Sequence, residues 1–296
     1  MKINGVLLLN KDSGHSSNKE LQLVKKLFKA DKAGHTGTLD PFACGLLPIC
    51  LGEATKFSSF LLECNKEYYA TIKLGEITTT YDLDGEIIET NPVNCNADQI
   101  IKVIDSFIGT IDQIPPIYSA LKLNGKPLYK YARNGISVEL KPRKIHIYSI
   151  KFINYEDNLL TISVLCSKGT YIRSLAYDIG MKLGCGAYLH ALNRTKIGSF
   201  HLENSVKLSY ISSFVDDLLY AHLLPIDKLV SHFPAIDLLH SDLIDIKNGK
   251  PIYMSINSNE DSVMRLYYKL SFIGLGVIKN NQIKVKRLLN TQNIEI

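Results

Sequence analysis

The 296-residue chain contains no tryptophan, so it lacks the indole ring that commonly stacks on sugars. No uncharged apolar run approaches the roughly 18 residues that a membrane-spanning helix requires. The opening MKINGVLLLNKDSGHSS has too short an apolar run and no small-residue cleavage site for a secretory leader, so a cytoplasmic protein without a membrane is expected. Six cysteines (Cys44, Cys50, Cys64, Cys95, Cys166, Cys185) are scattered without a CxxC pair. Neither a zinc site nor a disulfide framework is indicated, and they read as small core residues in a reducing compartment. Eight histidines are equally dispersed and form no HExxH, so no metal is expected. Neither GxGxxG nor GxxxxGK[ST] is present, and Gly34, Gly37 and Gly45 therefore do not spell a nucleotide-cofactor loop. Internal repeats and low-complexity tracts are also missing.

What is present is a chain long enough, at 46% hydrophobic residues, to bury a large core in more than one domain. Its net charge of +5 is unevenly spread. From Lys122 to Lys151 eight basic residues face one acid, Glu139, and from Lys247 to the end eight face three. Two separated basic zones fit a polyanion gripped at two places. The stretch GHTGTLDPFACGLLPICLG carries a single carboxylate, Asp40. Burying an unpaired carboxylate is very unfavourable, so Asp40 must be paired or functional. The glycines and prolines from Gly34 to Pro48 exclude a helix and put Asp40 on a loop, where chemistry is usually placed.

The remaining pattern is mixed. An apolar strand at Gly5 to Leu9 leads through KDSGHSSN to a helix with Ser17 as N-cap, Glu20 at the capping-box position and a stripe of Leu21, Val24, Leu27 and Phe28. EYYATIKLG alternates as a strand, and YDLDGEII supplies an Asp-Gly hairpin turn. NADQIIKVIDSFIG reads as a capped helix with Ile100, Ile101, Ile104 and Ile108 on its apolar face. PPIYSALKLNGKPLYKYARNG is a loop with a short helix. Strands follow at KIHIYSIKFI and LLTISVLC, then a helix from about Tyr171 to Leu183 ending at the glycines of LGCGA. Without a βαβ rhythm, the fold class is α+β on a largely antiparallel mixed sheet. After an acid-rich stretch between Asp216 and Asp245, short strands from about residue 232 suggest a small all-β module.

Taken together, INGVLLLNK, GHTGTLDPFACGLLPICLGEATK, KEYYATIKLG, QIPPIYSALKLNGKPLYKYARNG, CSKGTYIRSLAYDIG and LGCGAYL resemble the bacterial tRNA pseudouridine-55 synthases of the B type, and the basic tail is similar to a PUA domain. The resemblance spans almost the whole chain. It implies a pseudouridine synthase catalytic domain at 1–231 with a basic RNA-binding arm at about 115–150, and a PUA-like RNA-binding domain at 232–296. It also implies isomerisation of uridine 55 in the T-loop of tRNA, on a flipped-out nucleotide and without a cofactor. The implied partner is tRNA, held at its T-loop and acceptor side by a monomer with no obligatory protein partner.

By the same resemblance, Asp40 of GTLDP is the catalytic aspartate and Arg173 of GTYIR its partner, expected to offset burial and keep the carboxylate ionised. Tyr68, rather than Tyr69, lies against the base, with Leu192 as the pocket wall. His35 occupies the space a flipped nucleotide leaves, and Lys11 supports the site. Lys126, Lys130 and Arg133 are the arm residues expected to bind RNA. The chain departs from the family pattern at Asp12, where proline usually follows the lysine, at Thr79, where aspartate is common, and at Asn193, where arginine is usual, leaving Arg194 as the remaining cation. Three other readings compete. A non-catalytic tRNA-binding or folding protein is opposed by the presence of Asp40, Tyr68 and Arg173. A glycosidase would need a second carboxylate near Asp40 in sequence. A guide-RNA-dependent synthase would carry extra terminal segments.

Overall fold

The computed structural model describes residues 3–253 and 262–290, so the Met254–Ser255 end of the expected strand KNGKPIYMS and the acids Glu260, Asp261 and Glu295 lie outside the described residues. In chain order the first part contains β1 (Gly5–Lys11), α1 (Ser17–Leu27), β2 (Ala33–His35), β3 (Cys44–Leu51), β4 (Lys66–Leu74), β5 (Glu76–Thr78), β6 (Ile87–Thr90), α2 (Ala97–Asp105) and β7 (Gly109–Gln113). It continues with α3 (Leu128–Arg133), β8 (Arg143–Glu156), β9 (Leu159–Cys166), α4 (Ile172–Leu183) and β10 (Ala187–Ile197). One sheet runs through β1, β3, β10, β4, β9, β8 and β7. Its neighbours are antiparallel except at β3–β10, where Cys44 and Gly45 run parallel to Asn193 and Arg194, and at the edge, where Val206–Lys207 runs parallel to β1. This is the α+β, largely antiparallel architecture that the pattern calls for.

Strand β4 shows why. Lys66, Tyr68, Ala70, Ile72 and Leu74 are buried while the residues between them are not, the alternation of a sheet with one face on the core. Helix α2 is capped as expected, with Asn96 and Gln99 forming a reciprocal capping box and Ile100 and Ile104 buried. Ile108, however, lies beyond its end and is exposed, because the chain has already turned into β7. Helix α4 ends at Gly184, whose φ of 80° needs a residue without a Cβ.

Three local expectations are corrected: the Ser17 cap, the Glu20 capping box and the Asp-Gly hairpin turn. The N-cap of α1 is Ser16, whose side chain accepts from the Lys19 N–H. Ser17 is instead the first helical residue, buried and bonded to Leu39, and Glu20 takes no part in a capping box but pairs with His15 at 2.9 Å. Pro48 sits inside β3, where its carbonyl accepts the Thr36 N–H. The β5–β6 hairpin is closed by the whole segment 79–86 rather than by Asp84-Gly85 alone.

The C-terminal part holds β11 (Ala235–Asp237), α5 (His240–Lys247), β12 (Ile252–Tyr253), β13 (Ser262–Tyr268), β14 (Ser271–Lys279) and β15 (Gln282–Leu288), in the sheet order β11-β13-β14-β15-β12. It has its own core around Leu243, Leu266, Ile273 and Ile283, with one helix, α5, beside the strands. It also shares a cluster with the larger sheet. Leu275 packs with Phe57, Leu61, Leu229 and Val230, and the Phe57 and Phe272 rings lie 5.5 Å apart. The Arg265 Nε donates to the Phe233 carbonyl at 2.8 Å, and the Tyr267 hydroxyl donates to Asp227 at 2.8 Å. The five-stranded sheet is therefore seated on the larger one through a continuous apolar contact.

The parallel β3–β10 junction depends on one glycine. Gly45 has φ of 104°, and a Cβ there would fall 2.3 Å from Asn193 Oδ1 and 2.5 Å from the Arg194 carbonyl. Gly45→Ala is expected to cost about 2–4 kcal/mol, combining left-handed backbone strain with overpacking against backbone. Urea denaturation checks it: unchanged stability would mean that the two strands can part without loss.

Candidate active site

Asp40 lies on the loop between β2 and β3, and three buried side chains from three different elements fix that loop. From α1, the Ser17 hydroxyl donates to the Leu39 carbonyl at 2.9 Å and accepts the Leu39 N–H at 2.8 Å. From β1, the Lys11 ammonium donates to the carbonyls of Asp12, Pro41 and Ala43 at 3.0, 3.2 and 2.6 Å. From β10, the Arg194 guanidinium donates to the carbonyls of Gly37 at 3.0 Å and Leu46 at 2.8 Å. Lys11 is completely buried and its three N–H groups are all taken, so it positions the loop and cannot itself bind substrate. Arg194, fully buried, is a positioning residue that its charge alone did not reveal.

The loop presents the Asp40 carboxylate side-on to Arg173, in the first turn of α4. Nε lies 3.0 Å from Oδ2 and Nη2 3.2 Å from Oδ1. This is the two-point fork that a guanidinium makes with a carboxylate and a lysine cannot. Arg173 is itself buried, and two more of its donors are engaged: Nη1 lies 3.2 Å from Asp82 Oδ2, and Nη2 also donates to the Tyr118 carbonyl at 2.8 Å.

Asp82 gives little sign of this role in the sequence, where YDLDG reads as turn chemistry. Its place is set by tertiary contacts of the 79–86 segment. Tyr81, with φ of 61°, stacks on Tyr177 of α4 at 4.1 Å, and the backbone of Tyr81 and Leu83 bonds Leu189 at the start of β10. Thr80 and the Asp84 N–H then donate to Asp82 Oδ1, leaving Oδ2 for Arg173. The available signal was a second acid in a Gly-closed loop with no cation near it in sequence.

These groups border a cleft of about 610 Å³ whose walls include Tyr68 and Leu192. Tyr68 is buried and faces the cleft while Tyr69 is exposed on the opposite face of β4. Arg133 reaches the cleft, with its guanidinium 5.5 Å from the ring of Tyr129, also at the cleft. Lys126 and Lys130 are exposed on the same arm and do not line the cleft. His35 lies in β2, paired with Ile49, and does not line the cleft; its Nδ1 is buried without a partner.

The electrostatics differ from expectation in one respect. About a third of the Asp40 side-chain surface (32%) opens to the cleft, yet its carboxyl titrates above the usual carboxylate range. Burial is the main cause; Arg173 opposes it without cancelling it, and the nearby Asp84 adds repulsion. Asp82 is raised in the same direction, again chiefly by burial, and the Tyr68 hydroxyl is pushed up by burial against the pull of Arg194. The expectation that Arg173 offsets the burial of Asp40 is therefore only half met: it aims the carboxylate and moderates its pKa.

The chain is similar to known proteins over nearly all of its length. Residues 25–172 match the model of the TruB family pseudouridylate synthase N-terminal domain, residues 173–231 that of the tRNA pseudouridylate synthase B C-terminal domain, and residues 234–289 that of the pseudouridine synthase II TruB C-terminal region. The chain belongs to the TruB family of pseudouridylate synthases. It is 43% identical to the tRNA pseudouridine synthase B of Marinomonas sp. (strain MWYL1), over 99% of this chain and 97% of that protein. It is 45% identical to the protein of the same name from Azoarcus sp. (strain BH72), over 98% and 96%. Among solved structures it shares its fold with a chain of an H/ACA RNP bound to a substrate RNA containing 2'-deoxyuridine, with a TM-score of 0.74 at 24% identity, covering 96% of this chain and 84% of that one. The mixed sheet with its smaller C-terminal sheet is thus the pseudouridine synthase fold of this family.

The balance at Asp40 yields a paired prediction. Asp84→Asn removes a repulsive charge and should lower the Asp40 pKa, whereas Arg173→Gln removes the largest lowering influence and should raise it. Carboxyl-carbon NMR titration of the two variants checks the signs. Movement of both in one direction would show that the charges do not act on Asp40 as described.

Proposed function

We propose that this protein isomerises uridine 55 in the T-loop of tRNA to pseudouridine, with Asp40 as the catalytic carboxylate. The observation that carries the reading is the Asp40–Arg173 fork at the edge of a cleft walled by Tyr68 and Leu192. The reaction breaks the C1′–N1 bond, turns the uracil and joins C5 to C1′. It is redox-neutral and calls for no cofactor, but the detached base must be kept from escaping. An aromatic and an aliphatic wall suit the two faces of a uracil, and a base can reach such a cleft only after leaving its stack, at a cost of a few kcal/mol. Arg173 keeps Asp40 in one orientation and favours its ionised form. The relatives called tRNA pseudouridine synthase B support tRNA as the substrate.

We further propose that residues 1–231 form the catalytic domain and 232–296 a PUA-like RNA-binding domain that meets the acceptor side. The arm at about 115–150 grips phosphates through Lys126, Lys130 and Arg133, all exposed. No helix among the described residues is long and apolar enough to cross a membrane, in keeping with a cytoplasmic site of action.

Asp40→Asn should reduce pseudouridine formation in an unmodified tRNA transcript to background while leaving tRNA affinity within a few fold, because chemistry and binding reside in different groups. Measurable turnover by this variant would overturn the assignment. Neutralising Lys126, Lys130 and Arg133 together should weaken binding and flatten its salt dependence by up to about 0.7–0.9 per lost phosphate contact. A salt slope equal to that of the unaltered protein would remove the arm from the phosphate backbone.

A further inference from the structure

Lys66 is a buried cation at the cleft that the reading above leaves without a task. It occupies β4 two positions before Tyr68, so both side chains leave the strand on the same face, and both line the cleft. Its Nζ donates to the carbonyls of Leu62 at 2.7 Å and Cys64 at 2.6 Å. No carboxylate among the described residues pairs with it, and an ammonium carries three donors, so one N–H is left over. A neighbouring cation, Arg194, spends Nε and Nη2 on backbone carbonyls. The cleft is consequently lined by both signs of charge, with Asp40, Asp82 and Asp84 as acids and Lys66, Arg133, Arg173 and Arg194 as cations.

We propose that Lys66 is a further catalytic residue, whose free N–H bonds a carbonyl oxygen of the target uracil and stabilises the negative charge that the base acquires when it leaves the ribose. The proposal rests on the isomerisation described above. As C1′–N1 breaks, its electron pair departs with the base and spreads over N1 and the ring oxygens. The base turns, C5 bonds to C1′, the proton on C5 is lost and N1 takes up a proton, so the sum is an isomerisation. Lys66 neither gains nor loses a proton. Its charge counts most once the base is negative, and a preorganised donor aimed at developing charge acts in this way.

The setting of Lys66 makes its charge state testable. Burial, and then the neighbouring Arg194, bring its pKa down to about 8, while Cys64, Cys166 and Glu63 pull weakly the other way. Those thiols do not titrate in the same range, since burial raises that of Cys64 and pushes that of Cys166 up to about 12, and Glu63 pairs with Lys168. The ammonium that stabilises the base is thus present below about pH 8 and lost above it.

Single-turnover pseudouridine formation on unmodified tRNA transcript should be followed from pH 6 to 10 for the unaltered protein, Lys66→Met and Lys66→Arg, alongside tRNA affinity and thermal unfolding. Lys66→Met should lose roughly 10²–10³-fold in rate with affinity within a few fold. Lys66→Arg, which keeps a cation, should recover much of that loss and carry the alkaline fall in rate to higher pH. A Lys66→Met rate equal to that of the unaltered protein, or coincident alkaline limbs for the unaltered protein and Lys66→Arg, overturns the proposal while leaving the isomerase reading intact. Should Lys66→Met fail to fold, the limb of Lys66→Arg decides alone. An unaltered protein that forms no pseudouridine overturns both readings.

Discussion

The cleft is organised around a single buried guanidinium. Arg173 reaches the β2–β3 loop through Asp40, the 79–86 segment through Asp82 and the start of the basic arm through the Tyr118 carbonyl. These three segments are far apart in the chain and meet at one guanidinium. Two carboxylates around one cation leave a formal excess of negative charge, in keeping with carboxyls that titrate above their usual range. Removing the cation would leave the buried Asp82 and the half-buried Asp40 without their shared partner, a change that costs on the order of 3–5 kcal/mol where the pair is fully buried and less where it is partly open. Site geometry and local stability are therefore one property here.

Around this centre, cations are used in two ways. Lys11 and Arg194 end on backbone carbonyls and act as ties that hold the Asp40 loop between β1 and β10. Both gain from burial only because carbonyl acceptors satisfy them, since an unbonded buried charge would neutralise or force the loop open. The arm residues Lys126, Lys130 and Arg133 are exposed and solvated, the state that suits reversible contact with phosphate. Position in the fold, not residue type, separates the ties from the grips. Gly45 belongs to the same construction, because only a residue without a Cβ lets β3 approach the backbone of β10 closely enough for Arg194 to reach Leu46.

Much of the site was legible before any coordinates. Asp40, Arg173, Tyr68 and Leu192 meet at the cleft as the family resemblance implies. Local signals held where the neighbours in sequence are also the neighbours in space, as in the Asn96–Gln99 capping box, the Gly184 helix end and the alternation of β4. They failed where a residue is used by something distant. Ser17 reads as a cap but is drawn inward by Leu39, so the neighbouring Ser16 caps the helix. Asp82 reads as a turn former because nothing nearby in the chain shows Arg173 waiting for it. How Lys11 supports the site is likewise invisible in sequence and is given by its burial and its three carbonyl partners.

The sequence by itself therefore determined the mixed antiparallel class, the loop that bears Asp40 and the placement of basic charge along the chain. These are consequences of period, turn chemistry and composition, which act over a few residues. Tertiary structure alone decided which charges are buried, which partner each receives and which face an open cleft. Those outcomes depend on desolvation and on distances between segments that only the folded sheet brings together.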